Sequence, residues 1–324
     1  MRTIKDLQSL FNDALQEQQF KGTPTELYEP FTYILSLGGK RMRPVMLLHA
    51  CEMFCGESIK ALPQAIAIEL FHNFTLIHDD IMDRAPLRRG LPAVHKKYNS
   101  TVAILVGDAM LLTAYKYLVK CDPQLVSPLI NLFNDCGIKI CEGQQLDMNF
   151  EKSNTLEIGD YLGMVELKTA YLFATALQMG AIIGGASESD ASHLFNFGKY
   201  IGISFQIKDD WLDSFGTVER IGKQSGGDIL RNKKTFLFIK ALSISDDLTK
   251  GQLKSWFSGE QVNDEEKVSA ILKIYSRLGI DEVSRSEMES NVAIALQHLS
   301  RVSLTESQKK SLAELAKDLL VRNE

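Results

Sequence analysis

The distribution of proline is the sequence feature that most limits the fold of this chain. All eight prolines lie at or before Pro128, so residues 129–324 contain none. Proteins built from β-sheets use proline at turns and edge strands along their length, whereas helix interiors exclude it. The sequence therefore predicts an all-α protein, a bundle of roughly ten or more helices.

Hydrophobic spacing supports the same prediction. Thr305 and Gln308 have the pattern of a capping box. Apolar residues then recur at helical intervals, at Leu312, Leu315, Ala316, Leu319 and Leu320. The sequence has neither an alternating strand pattern nor an Asn-Gly or Asp-Gly hairpin signal. Because no low-complexity linker divides the chain, we expect a single domain over residues 1–324.

Composition and charge exclude several classes of protein. The chain has 36 Lys and Arg against 41 Asp and Glu, a net charge of −5, which argues against a nucleic-acid partner. Its first residues, MRTIKDLQSLFNDALQ, are charged where a signal peptide needs an apolar run, so we expect a cytoplasmic protein. The uncharged stretch 169–187 contains glycines and polar side chains, and we expect a buried helix there and no transmembrane segment. The five scattered cysteines are expected to be reduced thiols.

Two segments contain the pattern Asp-Asp-x-x-Asp, namely HDDIMD (residues 78–83) and KDDWLD (residues 208–213). On a helix, Asp79 shares a face with Asp83, and Asp209 with Asp213. Both motifs continue an apolar stripe, and carboxylates at the end of such a stripe are costly to bury unless cations neutralise them. Carboxylate oxygens suit Mg²⁺, which completes its octahedron with water and substrate phosphate.

Other metal sites do not fit these residues. An EF-hand loop that starts at Asp79 needs Gly where Arg84 stands and Glu where Gly90 stands. A di-iron bundle needs two Glu-x-x-His elements, and the sequence contains one, Glu69–His72.

Basic residues form short clusters near the acidic motifs. They occur in GGKRMRP (residues 38–44), LRRG (87–90), GKQSGGD (222–228) and NKKT (232–235). Gly38 and Gly39 let the backbone approach an anion closely, and the Arg88–Arg89 pair follows Asp83 by a short loop. We therefore expect an anionic, diphosphate-bearing ligand with an apolar remainder along the buried stripe.

These motifs, together with LVGDAML, GQQLDM, ELKTA and FQIKDDWLD, resemble those of trans-isoprenyl diphosphate synthases, the polyprenyl synthetases, in the family's order from about residue 30 to residue 242. The resemblance implies an isoprenoid synthase fold around a deep central cavity and a homodimer. It also implies a Mg²⁺-dependent prenyltransferase that condenses isopentenyl diphosphate head-to-tail with an allylic diphosphate. Three Mg²⁺ are expected with substrate bound, with Mn²⁺ as an alternative.

The resemblance also implies roles for individual carboxylates. Asp79, Asp83 and Asp209 would bind the metal, while Asp80, Asp210 and Asp213 would support them or reach the metal through water.

Further roles are implied for the residues that bind substrate. The allylic diphosphate would be held by Arg88, Lys168, Lys223 and Lys233, with Lys234 left open as an alternative to Lys233. Isopentenyl diphosphate would be held by Lys40, Arg43, His72 and Arg89. Thr169 and Gln206 would line the developing carbocation.

Product length is expected to depend on side chains before the first Asp motif. Phe74 lies five residues before Asp79, about 7.5 Å along a helix axis. Within the family, an aromatic here, a small neighbour (Thr75) and no insertion in the motif imply the twenty-carbon product, geranylgeranyl diphosphate. Phe71 could set the limit instead. Farnesyl diphosphate, a longer product, a terpene cyclase and a non-catalytic subunit remain alternatives.

Overall fold

The computed structural model of the chain describes residues 1–153, 155–216, 226–258 and 263–321. Within these ranges the protein is helical apart from turns, loops and one two-residue hairpin, which confirms the all-α prediction. The chain divides into two compact units. Unit 1 comprises residues 1–134, 175–195 and 303–311, and unit 2 comprises residues 135–174, 196–302 and 312–324. The single domain and the deep central cavity expected above stay predictions.

Unit 1 is built mainly from the first half of the chain. Its helices are α1 (Ile4–Glu17), α2 (Thr25–Ser36), α3 (Met42–Cys55), the 3₁₀ turn Ser58–Ala61, α4 (Leu62–Met82), α5 (Val94–Lys97) and α6 (Ser100–Leu118). Strands β1 (Leu87–Arg88) and β2 (Leu91–Pro92) lie between α4 and α5. Helix α7 (Pro123–Lys152) begins in this unit and ends in unit 2.

Unit 2 contains the rest of the chain. After α7 come α8 (Ile158–Val165), the π-helical turn Glu166–Ala170, α9 (Tyr171–Ile183) and α10 (Glu188–Phe215). They are followed by α11 (Gly227–Leu230), α12 (Phe236–Ile244), α13 (Asp247–Ser258), α14 (Asp264–Arg277), α15 (Ile280–Ser300) and α16 (Glu306–Val321). The C-terminal part of α9, the start of α10 and the start of α16 belong to unit 1.

The helix predicted at the end of the chain is α16. Leu312 and Ala316 are fully buried, as their spacing predicts. The Gln308 side-chain oxygen accepts hydrogen bonds from the Thr305 backbone N–H at 3.1 Å and from its hydroxyl at 2.7 Å. The bond to the Thr305 backbone N–H is one half of a capping box, the half that satisfies the N–H of the N-cap residue.

A close approach of two helices holds the first Asp motif in unit 1. Helices α4 and α6 pack along their length, and a Cβ added to Gly107 would collide with the imidazole of His78. A side chain at position 107 would therefore require the His78 imidazole to move, and the Gly of the LVGDAML motif avoids this. The contact places the C-terminal end of α4 against α6.

The hairpin is a difference from the sequence prediction. Leu87 pairs with Pro92 and Arg88 with Leu91 in antiparallel register. The turn residues Arg89 and Gly90 have φ of 53° and 79°, positive at both positions as in a type I′ turn. An Arg at the first turn position falls outside the Asn-Gly and Asp-Gly signals, so the sequence search missed it.

The uncharged stretch 169–187 is helical as far as Ile183, and it is buried without interruption from Leu172 to Leu177, as predicted. A different helix, α6, is the one among the described residues whose length and composition match a membrane span, and a third of it is buried.

Candidate functional site

The apolar stripe of α4 runs into the first Asp motif, as predicted. Ala65 and Ile68 are buried, His72 is half-buried, and Asp83 is exposed beyond the last turn. Three carboxylates therefore lie at the C-terminal end of a helix, where the macrodipole is negative. This arrangement is electrostatically unfavourable in the absence of a cation.

Asp80 is already neutralised by Arg88. Its carboxylate is 1% exposed and accepts two hydrogen bonds, from Arg88 Nη2 at 2.5 Å and from Nε at 3.1 Å. Burial would lower the pKa of Arg88, but the hydrogen bond and charge of Asp80 raise it above its usual value. Asp79 is half-buried and Asp83 is exposed, so these two carboxylates are more accessible to solvent than Asp80.

Hairpin and helix α3 bring basic side chains together in unit 1. Gly39 has φ of 132°, and a Cβ there would lie 2.6 Å from Arg89 Nη2. The absence of a side chain at Gly39 therefore makes room for the Arg89 guanidinium. Burial and the charge of Arg41 lower the pKa of Arg89, so this guanidinium lies where an anion would be stabilised.

Arg41 is occupied within the protein. It has φ of 49°, donates to the Leu35 carbonyl at 2.8 Å, and forms a buried ion pair with Glu69. Asn73 in turn donates to Glu69 Oε1 at 2.9 Å. Arg41 therefore supports the cluster, and this fits its absence from the predicted substrate-binding set.

Arg43 and His72 are neighbours, as their common predicted role requires. Arg43 Nη1 lies 3.1 Å from His72 Nε2. Burial and the nearby arginines, first Arg43 and then Arg89, lower the pKa of His72 well below its usual value. The imidazole is therefore neutral at pH 7 and accepts from Arg43. Lys40 is exposed beside this pair in sequence, and its carbonyl accepts from Gln8.

Aromatic rings surround the predicted length-determining residues. Phe74 packs edge-on against Phe71, with ring centroids 5.6 Å apart, and against His78 at 4.8 Å. Phe71 also packs on Phe133 of α7 at 4.9 Å. The Thr75 hydroxyl donates to the His72 carbonyl. Of the neighbours Phe74 and Thr75, Phe74 therefore has the bulky side chain that could limit the product.

The second Asp motif lies near the end of α10 in unit 2. Asp209 is exposed, whereas Lys208 and Asp210 are buried. The expectation that Asp209 continues a buried line is therefore wrong in this detail. Lys208 turns inward because its ammonium donates to the Leu319 carbonyl near the C-terminal end of α16, where a positive charge is favourable.

Asp210 is the centre of a buried hydrogen-bond network. Its Oδ2 accepts from the Tyr161 hydroxyl and, at 3.1 Å, from the Phe236 N–H, while Oδ1 accepts from Gln206 Nε2 at 3.0 Å. Gln206 Oε1 accepts from the Thr169 hydroxyl at 3.1 Å. Burial, then the charge of Asp228, raises the pKa of Asp210 to about 7 despite these donors.

Asp213 faces a further carboxylate that the sequence analysis did not select. The Asp228 N–H donates to Asp213 Oδ2 at 2.8 Å, and Asp228 pairs with Arg231 at 2.8 Å. Burial, then repulsion from Asp228, raises the pKa of Asp213 to about 6. A bound cation would relieve this repulsion.

Lys168 lies on the π-helical turn, a rare element that often marks functional positions. Its ammonium lies 2.5 Å from Asp147 Oδ2. A Cβ on Gly143 of α7 would collide with the Lys168 backbone, so this glycine lets the two segments meet.

Lys233 and Lys234 differ in their surroundings. Lys234 donates to the carbonyls of Phe150 and Glu151 at 3.0 Å each and to the carbonyl of Ser153. Through these bonds the Lys234 ammonium caps the C-terminal end of α7. The two lysines and the residues of the Asp210 network line one small cavity. Its polar lining is Asp147, Tyr161, Lys168, Thr169, Gln206, Asp210, Lys233, Lys234 and Thr235. Lys223 lies outside the described residues.

The carboxylates fit a hard divalent cation. Within residues 1–153, 155–216, 226–258 and 263–321, no three His, Cys, Asp or Glu side chains form a preassembled metal site. Each motif instead presents accessible carboxylates whose electrostatic surroundings favour a cation, and oxygen-only donors with open positions suit Mg²⁺ shared with phosphate.

Sequence reasoning missed three residues of these clusters, Asp147, Tyr161 and Asp228. Each lies in a motif that was noticed or beside one: GQQLDM, the segment before ELKTA, and GKQSGGD. Tyr161 is seven residues before Lys168, two helical turns away, and this spacing was the one available signal.

Comparison with known proteins identifies the family of the chain. The sequence model of the Polyprenyl synthetase family matches residues 24–275. The chain is 43% identical over 240 residues to a geranylgeranyl diphosphate synthase of Methanosarcina mazei, covering 74% of each protein. It is 36% identical over 322 residues to a geranylgeranyl pyrophosphate synthase of Geoglobus acetivorans, covering 99% of this chain and 98% of the other. A crystal structure of a geranylgeranyl pyrophosphate synthase matches with a TM-score of 0.95 at 39% identity over 100% of both chains. The chain therefore belongs to the Polyprenyl synthetase family.

Proposed function

We propose that this protein is a Mg²⁺-dependent prenyltransferase that makes geranylgeranyl diphosphate from isopentenyl diphosphate and an allylic diphosphate. The observation that carries the proposal is made within unit 1. The acidic C-terminal end of α4 contacts a basic cluster there, through the Arg88–Asp80 pair and beside the Arg43–His72 contact. The aromatic pair Phe71 and Phe74 lies earlier on the same helix. The two relatives described above are geranylgeranyl synthases, which supports the twenty-carbon product.

The proposed reaction has three steps. The allylic carbon–oxygen bond breaks and diphosphate leaves. The double bond of isopentenyl diphosphate attacks the allylic cation and forms a carbon–carbon bond. Loss of a proton then restores a double bond in the longer product. Mg²⁺, when bound, neutralises the leaving diphosphate.

The carboxylates divide into two roles in this proposal. Asp79, Asp83, Asp209 and Asp213 bind the metal ions. Asp80 and Asp210 act as supports, because Arg88 holds the first and three donors hold the second.

The basic residues bind the two diphosphates. Arg88, Lys168 and Lys233 hold the allylic diphosphate, with Lys223 as the further member. Lys233 is preferred to Lys234, because Lys234 caps α7. Lys40, Arg43 and Arg89 hold isopentenyl diphosphate beside neutral His72.

Thr169 and Gln206 face the developing carbocation. The partial negative charges of their oxygens stabilise positive charge without supplying free water. Phe74 ends the space for the growing chain, with Phe71 beneath it.

The assay is direct. Purified protein is incubated with Mg²⁺, isopentenyl diphosphate and a five-, ten- or fifteen-carbon primer, and the dephosphorylated alcohols are sized. A twenty-carbon all-trans alcohol is expected. A fifteen-carbon alcohol, or one longer than twenty carbons, would replace the product assignment, and no elongation with any primer would refute the function.

Assembly and location belong to the same proposal. Helix α6 exposes Leu105 and Leu112, seven residues apart on one face, to 55% and 65%. A second copy of the chain would cover this apolar face, which accounts for a span-like composition without a membrane. We therefore propose a homodimer in the cytoplasm.

A further inference from the structure

The orientation of the Gln206 amide matters for a site that develops positive charge. A glutamine presents either a carbonyl oxygen, which stabilises a cation, or an NH₂ group, which repels one. Gln206 is a lining residue of the polar cavity of unit 2, together with Thr169 and Lys168. Which end of the amide is available there depends on what binds the other end.

Asp210 determines that choice. Gln206 Nε2 donates to Asp210 Oδ1 at 3.0 Å, so the nitrogen of the amide, and not its oxygen, meets the aspartate. Gln206 Oε1 then faces the opposite way, where it accepts from Thr169 at 3.1 Å. The hydrogen bond to Asp210 therefore fixes the direction of the Gln206 amide.

Tyr161 in turn holds Asp210. Its ring is 3% exposed, and its hydroxyl donates to Asp210 Oδ2, the oxygen that also accepts from the Phe236 N–H. With Oδ2 bound by two donors, Oδ1 is left pointing at Gln206. A chain of hydrogen bonds thus runs from Tyr161 through Asp210 and Gln206 to Thr169.

We propose that Tyr161 is a positioning residue for the prenyl transfer: it locks Asp210, and through Asp210 it keeps the Gln206 carbonyl oxygen directed at the reacting carbon skeleton. This inference rests on the proposed function. Tyr161 does not touch substrate in this scheme, so its removal affects the rate of the chemical step and leaves substrate affinity nearly unchanged.

The kinetic test uses Tyr161→Phe, which removes one hydroxyl and keeps the ring. We expect kcat to fall about 10- to 100-fold, the usual cost of losing such a supporting partner, with KM for both substrates within about threefold. Tyr200→Phe is the matched control, because its ring packs on His298 and is not part of the cavity lining. It should keep kcat within about twofold.

A double-mutant cycle separates positioning from general destabilisation. If Tyr161 acts through Asp210, the Tyr161→Phe, Asp210→Asn double variant should be no slower than Asp210→Asn alone. The proposal would be overturned if the two losses in kcat multiplied in the double variant. It would also be overturned if Tyr161→Phe left kcat unchanged or altered KM alone. Rates are measured at a temperature where circular dichroism shows each variant fully folded.

A measurement without turnover keeps the inference distinct from the proposed function. In ¹⁵N-labelled protein, the Gln206 side-chain NH₂ signals are identified by their loss in Gln206→Glu. We expect Tyr161→Phe to shift these signals and Tyr200→Phe to leave them in place. Unshifted signals refute the chain of hydrogen bonds even in an active enzyme. A shift in a protein that makes no product would refute only the prenyl transfer.

Discussion

Asp79 illustrates how a residue that is unfavourable for its helix can be one to which we assign a functional role. It lies in the last turn of α4 with Asp80 and close to Asp83, where negative charges oppose the macrodipole. Asp80 has Arg88 as its counterion. Asp79 is half-buried and Asp83 is exposed, whereas Asp80 is buried, and this difference within one motif could not be read from the identical residue types.

We expect Asp79→Ala, and separately Asp209→Ala, to lower kcat by about three orders of magnitude or more, because the leaving diphosphate loses metal-borne charge. The rate is measured at saturating Mg²⁺. Asp13→Ala, at an exposed position of α1, is the control and should be unchanged. Near wild-type turnover in either motif variant would contradict metal binding there.

His49 of α3 leads to a prediction about pH. It is fully buried, its two ring nitrogens have no hydrogen-bond partner among the described residues, and burial lowers its pKa to about 4. Below pH 6.5 the unfolded chain therefore takes up a proton that the folded protein does not. Stability is lost as the pH falls from about 6.5 to 4, by about 2 kcal/mol at pH 5.

His49→Leu, of similar volume, should remove this loss. Urea unfolding is compared at pH 7 and pH 5: the variant should match the wild type at pH 7 and exceed it by about 2 kcal/mol at pH 5. An equal decline in both proteins would show that His49 does not carry the pH dependence.

Helix α4 combines two functions at the scale of an element. Its exposed end carries the carboxylates, and one turn or more earlier it presents Phe74 and Phe71. The distance between them is a property of the helix, since each residue adds about 1.5 Å along the axis. In the proposed reaction, the same element would therefore hold the reacting end of the substrate and limit the length of its tail.

Phe74→Ala is expected to lengthen the product by at least one five-carbon unit, because removal of the ring opens the space above Phe71. The product ladder is read by mass spectrometry. Phe257→Ala, an aromatic truncation in α13, should leave the ladder unchanged. If Phe74→Ala also leaves it unchanged, the stop lies deeper, at the Phe71–Phe133 pair.

The hairpin is the element that local sequence signals missed. Arg89 adopts a left-handed backbone conformation that costs a non-glycine residue about 1 kcal/mol or more. Its guanidinium fills the space left open by Gly39. This turn places two consecutive arginines in different surroundings, Arg88 against Asp80 and Arg89 against Gly39.

At the scale of the whole molecule, the exposed face of α6 remains to be accounted for. Ile104, Leu105 and Leu112 are each about half exposed or more, whereas the other face packs on α4. An apolar stripe on one side of an otherwise polar surface is typical of an interface between protein copies.

Leu112→Lys should convert the proposed homodimer into a monomer, because a lysine ammonium would be desolvated in the interface. Light scattering after size-exclusion chromatography measures the mass. Ile59→Lys, an equally exposed apolar position outside α6, is the control and should stay dimeric. A wild-type protein that is itself monomeric would refute the homodimer.

The sequence by itself determined the helical class, the two Asp motifs and most of the basic residues, because these depend on local spacing: the absence of proline, the 3.6-residue period and the i,i+4 relation of carboxylates on a helix. Contacts between distant segments were decided by tertiary packing alone. Tyr161 reaches Asp210 across 49 residues of chain, and Lys208 reaches Leu319 across 111. No local pattern encodes which donor a buried carboxylate will find, since that choice follows from how whole helices pack and which polar atoms they must satisfy.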